Sequence, residues 1–276
     1  MESIIDEGER QSGTENQMEM YLLAYHLIKE DLKRFTGRME SLKAIKRFMM
    51  EDRTPMHYRT DDHIHSSRTA CITMELLPYF KDHKFGPGYA ITLACVHDDL
   101  EELTDDIQTP VKMSMTREER EKFRQEESDA IQDLYMDRPD EVGGWPYIQL
   151  LYDAMDKISP ESRLVKLADM LDGLGESLHE LFAGNTRFEH PVRNYSRLIR
   201  EHYHANRDLW YGIPEWIIDP SFPGVKEPSF HDKKLIMEDT GSPHYEFWKR
   251  VTLQYAGRDP DFGDGMKLLT EVKERE

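Results

Sequence analysis

His97 and Asp98 stand near the end of a strongly apolar stretch, Tyr89 to Leu103, where ionisable side chains are costly unless paired or bound to a cation. Glu101 follows His97 by four residues and Asp98 by three, so on a helix it shares their neighbourhood. Asp99, Glu102, Asp105 and Asp106 add more negative charge, and a divalent cation would relieve the repulsion. A second misplaced carboxylate is Asp169, in Leu164-Val165-Lys166-Leu167-Ala168-Asp169-Met170-Leu171. A carboxylate among so many apolar residues is expected to be at least half buried, next to a cation or strong donors. The third feature is His65, in His63-Ile64-His65-Ser66. Residues two apart on a helix point nearly opposite ways, so His63 and His65 are not both expected at one ion. Singly, each residue has an ordinary reading: a solvated or capping His, a chance His-Asp pair, an Asp facing water. The ordered set, with a His, then a His-Asp pair on the next apolar helix, then an Asp on a later one, points to a metal site. Two His and two Asp suit Mn, Fe, Co, Ni or Zn better than Ca, with Mg also open, and leave positions for water and a phosphoryl oxygen.

The elements expected to position this set are helices. A helical rhythm runs from Gln17 to Phe35, and a second helix is predicted over Glu40 to Met50 with Leu42, Ile45, Phe48 and Met49 inward. Further helices are predicted over Asp62 to Tyr79, Tyr89 to Leu103, Arg117 to Met136 and Pro146 to Lys157. Ser159-Pro160 supplies an N-cap and first-turn pair for a long helix through Leu181. Arg193 to Tyr211 and Tyr245 to Tyr255 complete the set, with an irregular, Pro-rich aromatic segment from Ile213 to Asp239. Strand signals are few, so the fold class is all-α. The expected organisation is a polar, loosely attached tail over 1–17, a catalytic domain over 18–187, and an extension over 188–276 packed upon it.

Composition narrows the function classes. The 276-residue chain can bury a real core. No run approaches the roughly 18–20 apolar residues of a membrane-spanning helix, and Met1 to Gln17 lacks the basic and apolar regions of a secretory signal. The two cysteines, Cys71 and Cys95, form no CxxC and sit in apolar stretches, which fits a reduced, cytoplasmic compartment. A net charge of -18 argues against a general nucleic-acid binder. It leaves room for a small anionic substrate in a pocket whose field a cation and a few Arg or Lys invert.

The His…His-Asp…Asp order resembles the HD phosphohydrolase superfamily. The stretch from His97-Asp98 through Glu101, Asp106 and Thr109-Pro110-Val111-Lys112 is similar, without a gap, to the bacterial HD-domain 5'-deoxynucleotidases. Lys166-Leu167-Ala168-Asp169, His65-Ser66 and the segment Leu42 to Phe48 also resemble family segments. The similarity covers about Leu42 to Leu181 and finds no counterpart beyond about Arg187. It departs from the family where Phe48 replaces a Trp that shapes the sugar pocket. The resemblance implies an HD-domain helical bundle that hydrolyses a (deoxy)nucleoside 5'-monophosphate to nucleoside and phosphate. The implied metal ligands are His65, His97, Asp98 and Asp169. Glu101 and Asp106 are the implied acid/base pair, their order open. Arg47 is implied to neutralise the phosphoryl group, with Arg53 and Arg59 as alternatives. Phe48 is expected to pack sugar or base, and Lys112 either to bind substrate or to hold the acidic turn. A homodimer or higher homo-oligomer is also implied.

Two other readings stay open on sequence alone. One is a deoxynucleoside triphosphate triphosphohydrolase, or another HD nucleotide phosphohydrolase, on the same metal site. The other is a non-catalytic nucleotide-binding or interaction module.

Overall fold

The computed structural model describes residues 2–49, 56, 60–81, 84–105, 107, 109–182 and 185–213. Ten helices carry the described residues: α1 (Glu2–Leu32), α2 (Arg38–Ala44), α3 (Asp62–Leu76), α4 (Pro87–Val96), α5 (Glu101–Thr104), α6 (Thr109–Ser114), α7 (Arg117–Asp137), α8 (Tyr147–Asp156), α9 (Pro160–Phe182) and α10 (Glu189–Ala205). Three short 3₁₀ turns follow α3, α9 and α10. The one sheet among the described residues is a two-stranded antiparallel ribbon, β1 (Glu141–Val142) with β2 (Trp145–Pro146). The all-α expectation is met.

The bundle is organised around α4. Its residues from Tyr89 to Val96 are buried on every side, as expected of a helix without a polar face. It packs against α1, α3, α8 and α9. Pro87 opens it, where a missing N–H costs nothing. The α3 helix is capped by Asp61, whose carboxylate accepts from Ile64 N at 3.1 Å, and packs between α4 and α9. The predicted cap of α9 also forms, since Ser159 Oγ accepts from Ser162 N at 2.9 Å. At the β1–β2 turn, Gly143 has φ 58, and a Cβ there would lie 2.6 Å from Thr92 Oγ1 on α4. Only glycine allows both the conformation and the approach.

The first helix begins at Glu2, ahead of the Gln17 start of the expected helical rhythm. Two expectations need correction. The second helix stops at Ala44, and Ile45 turns extended. The chain past it is drawn across to α3 by a bridge between Lys46 and Asp61. Phe48 is therefore buried at a left-handed φ of 55, and Met49 faces solvent. Finally, α4 ends at Val96, so His97 to Leu100 form a turn before the short α5. The expected segments 213–239 and 245–255 lie, apart from Ile213, outside the described residues.

Candidate active site

The start of α3, the turn after α4 and the middle of α9 bring His65, His97, Asp98 and Asp169 to one point. His65 Nε2 lies 3.2 Å from Asp98 Oδ2, 3.3 Å from Asp169 Oδ1 and 3.3 Å from His97 Nε2. His97 Nε2 lies 3.4 Å from Asp98 Oδ1. The other nitrogen of each imidazole is occupied. His97 Nδ1 donates to Ala94 O at 2.9 Å, and His65 Nδ1 faces Asp172 Oδ2 at 2.7 Å. Both Nε2 atoms therefore turn toward the cluster. Edges of 3.2 to 3.4 Å are what a cation bonded at about 2.0–2.2 Å to each atom would span, so the donor set fits a divalent transition metal. His65, His97 and Asp98 form one candidate metal group, and Asp62, Asp98 and Glu101 form a second beside it.

The electrostatics agree with that fit. Burial lowers the His97 pKa, which favours the neutral form of the ring that can coordinate a cation. Burial and the Arg47 charge oppose protonation of His65, but Asp169, Asp172 and Asp98 outweigh them and hold its pKa well above the ordinary value. Desolvation works against ionising Asp98 and Asp169. The His97 and His65 rings overcome it at Asp98, and Lys166 and His65 at Asp169, so both carboxyls stay below their usual range.

Behind the cluster runs a chain of buried charges that sequence reasoning missed. Arg68 Nη2 donates to Asp172 Oδ2 at 2.9 Å and to Glu176 Oε2 at 3.2 Å. Arg47 Nε donates to the same Glu176 oxygen at 3.2 Å, and Thr60 Oγ1 donates to Glu176. Asp169, Asp172 and Glu176 are three and four residues apart in the chain, and Arg68 is three after His65. That rhythm of charge inside apolar helices was the available signal. A separate buried knot joins α2, α4 and α8: Arg38 bonds Asp99 at 2.5 and 2.8 Å and Cys95 O at 2.6 Å, and Tyr147 Oη donates to Asp99 at 2.8 Å.

A pocket of about 380 Å³ opens beside the cluster. His97, Asp98, Asp169, Glu101, Arg47, Phe48 and Lys112 all line it. His65 lies behind them, buried. Lys112 also sits over the Phe123 ring, 5.3 Å from its centre. Asp106 lies outside the described residues, as do Arg53 and Arg59. The pocket also has walls not anticipated from sequence. Glu127 comes from α7, Lys157 from the end of α8, and Pro191, Asn194, Tyr195 and Leu198 from α10. Lys157 adopts a left-handed φ of 54.

A family profile described as 5'-deoxynucleotidase YfbR-like matches residues 34–210. The chain belongs to that family. The matched span of this YfbR-like protein runs past Arg187 and takes in α10, so the helix that closes the pocket is inside it. A 5'-deoxynucleotidase of Cronobacter sakazakii is 28% identical over 193 residues, 68% of this chain and 89% of that protein. The 5'-deoxynucleotidase YfbR of Salmonella arizonae is 30% identical over 159 residues, 56% of this chain and 76% of that protein. Among solved structures, a conserved hypothetical protein from Pyrococcus furiosus is 22% identical with a TM-score of 0.44, covering 63% of this chain and 98% of its own.

Proposed function

We propose that this YfbR-like protein hydrolyses deoxynucleoside 5'-monophosphates to nucleoside and orthophosphate, with a single divalent cation held by His65, His97, Asp98 and Asp169. The observation that carries the reading is the convergence of those four side chains at the wall of a pocket that also contains Arg47 and Glu101. When bound, Mn, Co, Fe, Ni, Zn or Mg would supply Lewis acidity and a water of lowered pKa.

The protein's own groups do the rest. Arg47 neutralises phosphoryl charge, its guanidinium fixed by Glu176 and stacked 5.7 Å from the centre of the Phe48 ring. Glu101 and Asp106 form the acid/base pair, one orienting or deprotonating water and the other protonating the departing 5' oxygen. Asp172 fixes the tautomer and orientation of His65. Phe48 packs against the nucleoside, and Lys112 adds positive charge at the pocket wall.

The described helices include none long and apolar enough to cross a membrane. Cys71 and Cys95 are free and buried, which supports a cytoplasmic setting. Met20, Leu23 and Leu27 of α1 are 66%, 62% and 61% exposed and share one helical face, which supports a homodimer. Lys112, Lys157 and Lys166 along one pocket favour a second reading, in which a deoxynucleoside triphosphate is cleaved to release triphosphate.

Substitution and product analysis together test the proposal. Asp98→Ala and Asp169→Ala should each lose both metal and activity, and Glu101→Ala should keep metal and lose turnover. Orthophosphate as the sole phosphate product supports the nucleotidase, and triphosphate supports the second reading. Full activity in Glu101→Ala would remove that residue from the acid/base pair.

A further inference from the structure

Tyr195 lines the pocket together with Phe48, Arg47 and Asp169. Its ring lies edge-on to Phe48, with centres 6.4 Å apart, and its phenol is within electrostatic reach of Arg47, Asp169 and Lys166. It is held there by a specific accommodation on α9. Gly173 lies one turn beyond Asp169, and a Cβ on it would fall 2.5 Å from Tyr195 Cζ and 2.7 Å from Tyr195 Oη. The missing side chain of Gly173 thus makes the seat for the ring. Among the described residues, the Tyr195 hydroxyl has no hydrogen-bond partner, although it lines the pocket and is only partly exposed. A phenol hydroxyl left so at a half-buried wall is usually matched by a ligand or water.

The surrounding chemistry selects which part of a nucleotide it meets. The phosphoryl end has charged partners already, in the cation site and Arg47. A neutral hydroxyl beside an aromatic ring is better matched to a sugar, whose carbon face would rest on Phe48. Once the 5' oxygen is phosphorylated, a 2'-deoxynucleotide has one free sugar hydroxyl, on C3'. Resting on the nucleotidase reading above, we propose that Tyr195 is a specificity-determining residue whose phenol hydrogen-bonds the 3'-hydroxyl of the bound deoxynucleotide.

The test compares 2'-deoxyadenosine 5'-monophosphate with its 2',3'-dideoxy counterpart on the metal-loaded, full-length protein. Wild type and Tyr195→Phe are measured for kcat/KM with each. The preference of wild type for the deoxy over the dideoxy substrate should fall about three- to tenfold in Tyr195→Phe, the scale of one hydrogen bond, mainly through KM. Gly173→Ala, which displaces the ring and keeps the hydroxyl, should lower the same ratio, with thermal unfolding reported beside it. A ratio unchanged in Tyr195→Phe overturns the proposal, whether both substrates lose equally or neither does. If wild type turns over neither substrate, the nucleotidase reading fails separately, and calorimetric Kd values for the same pair are judged by the same ratio.

Discussion

Asp172 Oδ2 lies 2.7 Å from His65 Nδ1, and Arg68 holds the same carboxylate from its other side. One buried acid thereby joins the candidate metal site to the ionic interior between α3 and α9. The Arg68 and His65 charges overcome burial and bring the Asp172 pKa down to about 2, so it is ionised at any working pH and can hold the imidazole proton on Nδ1.

Asp172→Asn should therefore weaken metal binding by about 10- to 100-fold, the usual effect of losing such an outer partner, with His65, His97, Asp98 and Asp169 all still present. Titration of metal-stripped protein with Co2+ or Mn2+, followed by calorimetry, measures this. An affinity equal to wild type would remove Asp172 from the assembly of the site.

Metal binding should release protons. Without a cation, His65 is held protonated above its ordinary range by three carboxylates, and a coordinating imidazole must give that proton up. Apparent affinity should fall as pH falls, by about tenfold per unit below the His65 pKa for one displaced proton. For the metal-free fold the sign is opposite. A raised folded-state pKa contributes stability that is complete below the unfolded value near 6.5 and is lost as pH rises through the folded value. Calorimetry in buffers of differing ionisation enthalpy counts the protons, and a count of zero would contradict the His65 assignment.

The Arg38–Asp99 pair is structural. It is buried and lies away from the pocket lining. Arg38→Ala leaves Asp99 as an uncompensated buried charge and should cost about 3–5 kcal/mol. Urea unfolding at neutral pH reads this directly. A loss within about 0.5 kcal/mol, the range of ordinary surface substitutions, would mean that water reaches Asp99.

Arg47→Ala should lower kcat/KM by roughly 10- to 100-fold, as expected when a charge-assisted hydrogen bond worth about 1.5–3 kcal/mol is removed. Arg47→Lys should recover only part, because the ammonium cannot reproduce the guanidinium's planar fork. Steady-state phosphate release with a deoxynucleoside monophosphate checks both, and unchanged kinetics in Arg47→Ala would move the phosphoryl contact elsewhere.

The helices were legible from apolar periodicity, and the metal candidates because they place charge where that periodicity forbids it. His97-Asp98 closing α4 and Asp169 inside α9 are such violations. Phe48 was expected on a helix, but the chain crosses toward Asp61 before reaching it, a tertiary pairing that local periodicity does not encode. Asp172, Glu176 and Arg68 carried a readable helical spacing and were passed over beside the stronger His-Asp motif. Lys157, Asn194 and Tyr195 had no such signal. They reach the pocket through the end of α8 and the packing of α10 on α9, and nothing in their local sequence separates them from surface residues.

The most direct measurement is phosphate release from deoxynucleoside 5'-monophosphates by protein stripped of metal and then reloaded with Mn2+ or Co2+. Stripped protein should show no turnover, reloaded protein should release orthophosphate and nucleoside, and reloading Asp169→Ala should restore nothing. Equal turnover by stripped protein, or no hydrolysis of any deoxynucleoside monophosphate by the reloaded protein, would contradict a metal-dependent nucleotidase.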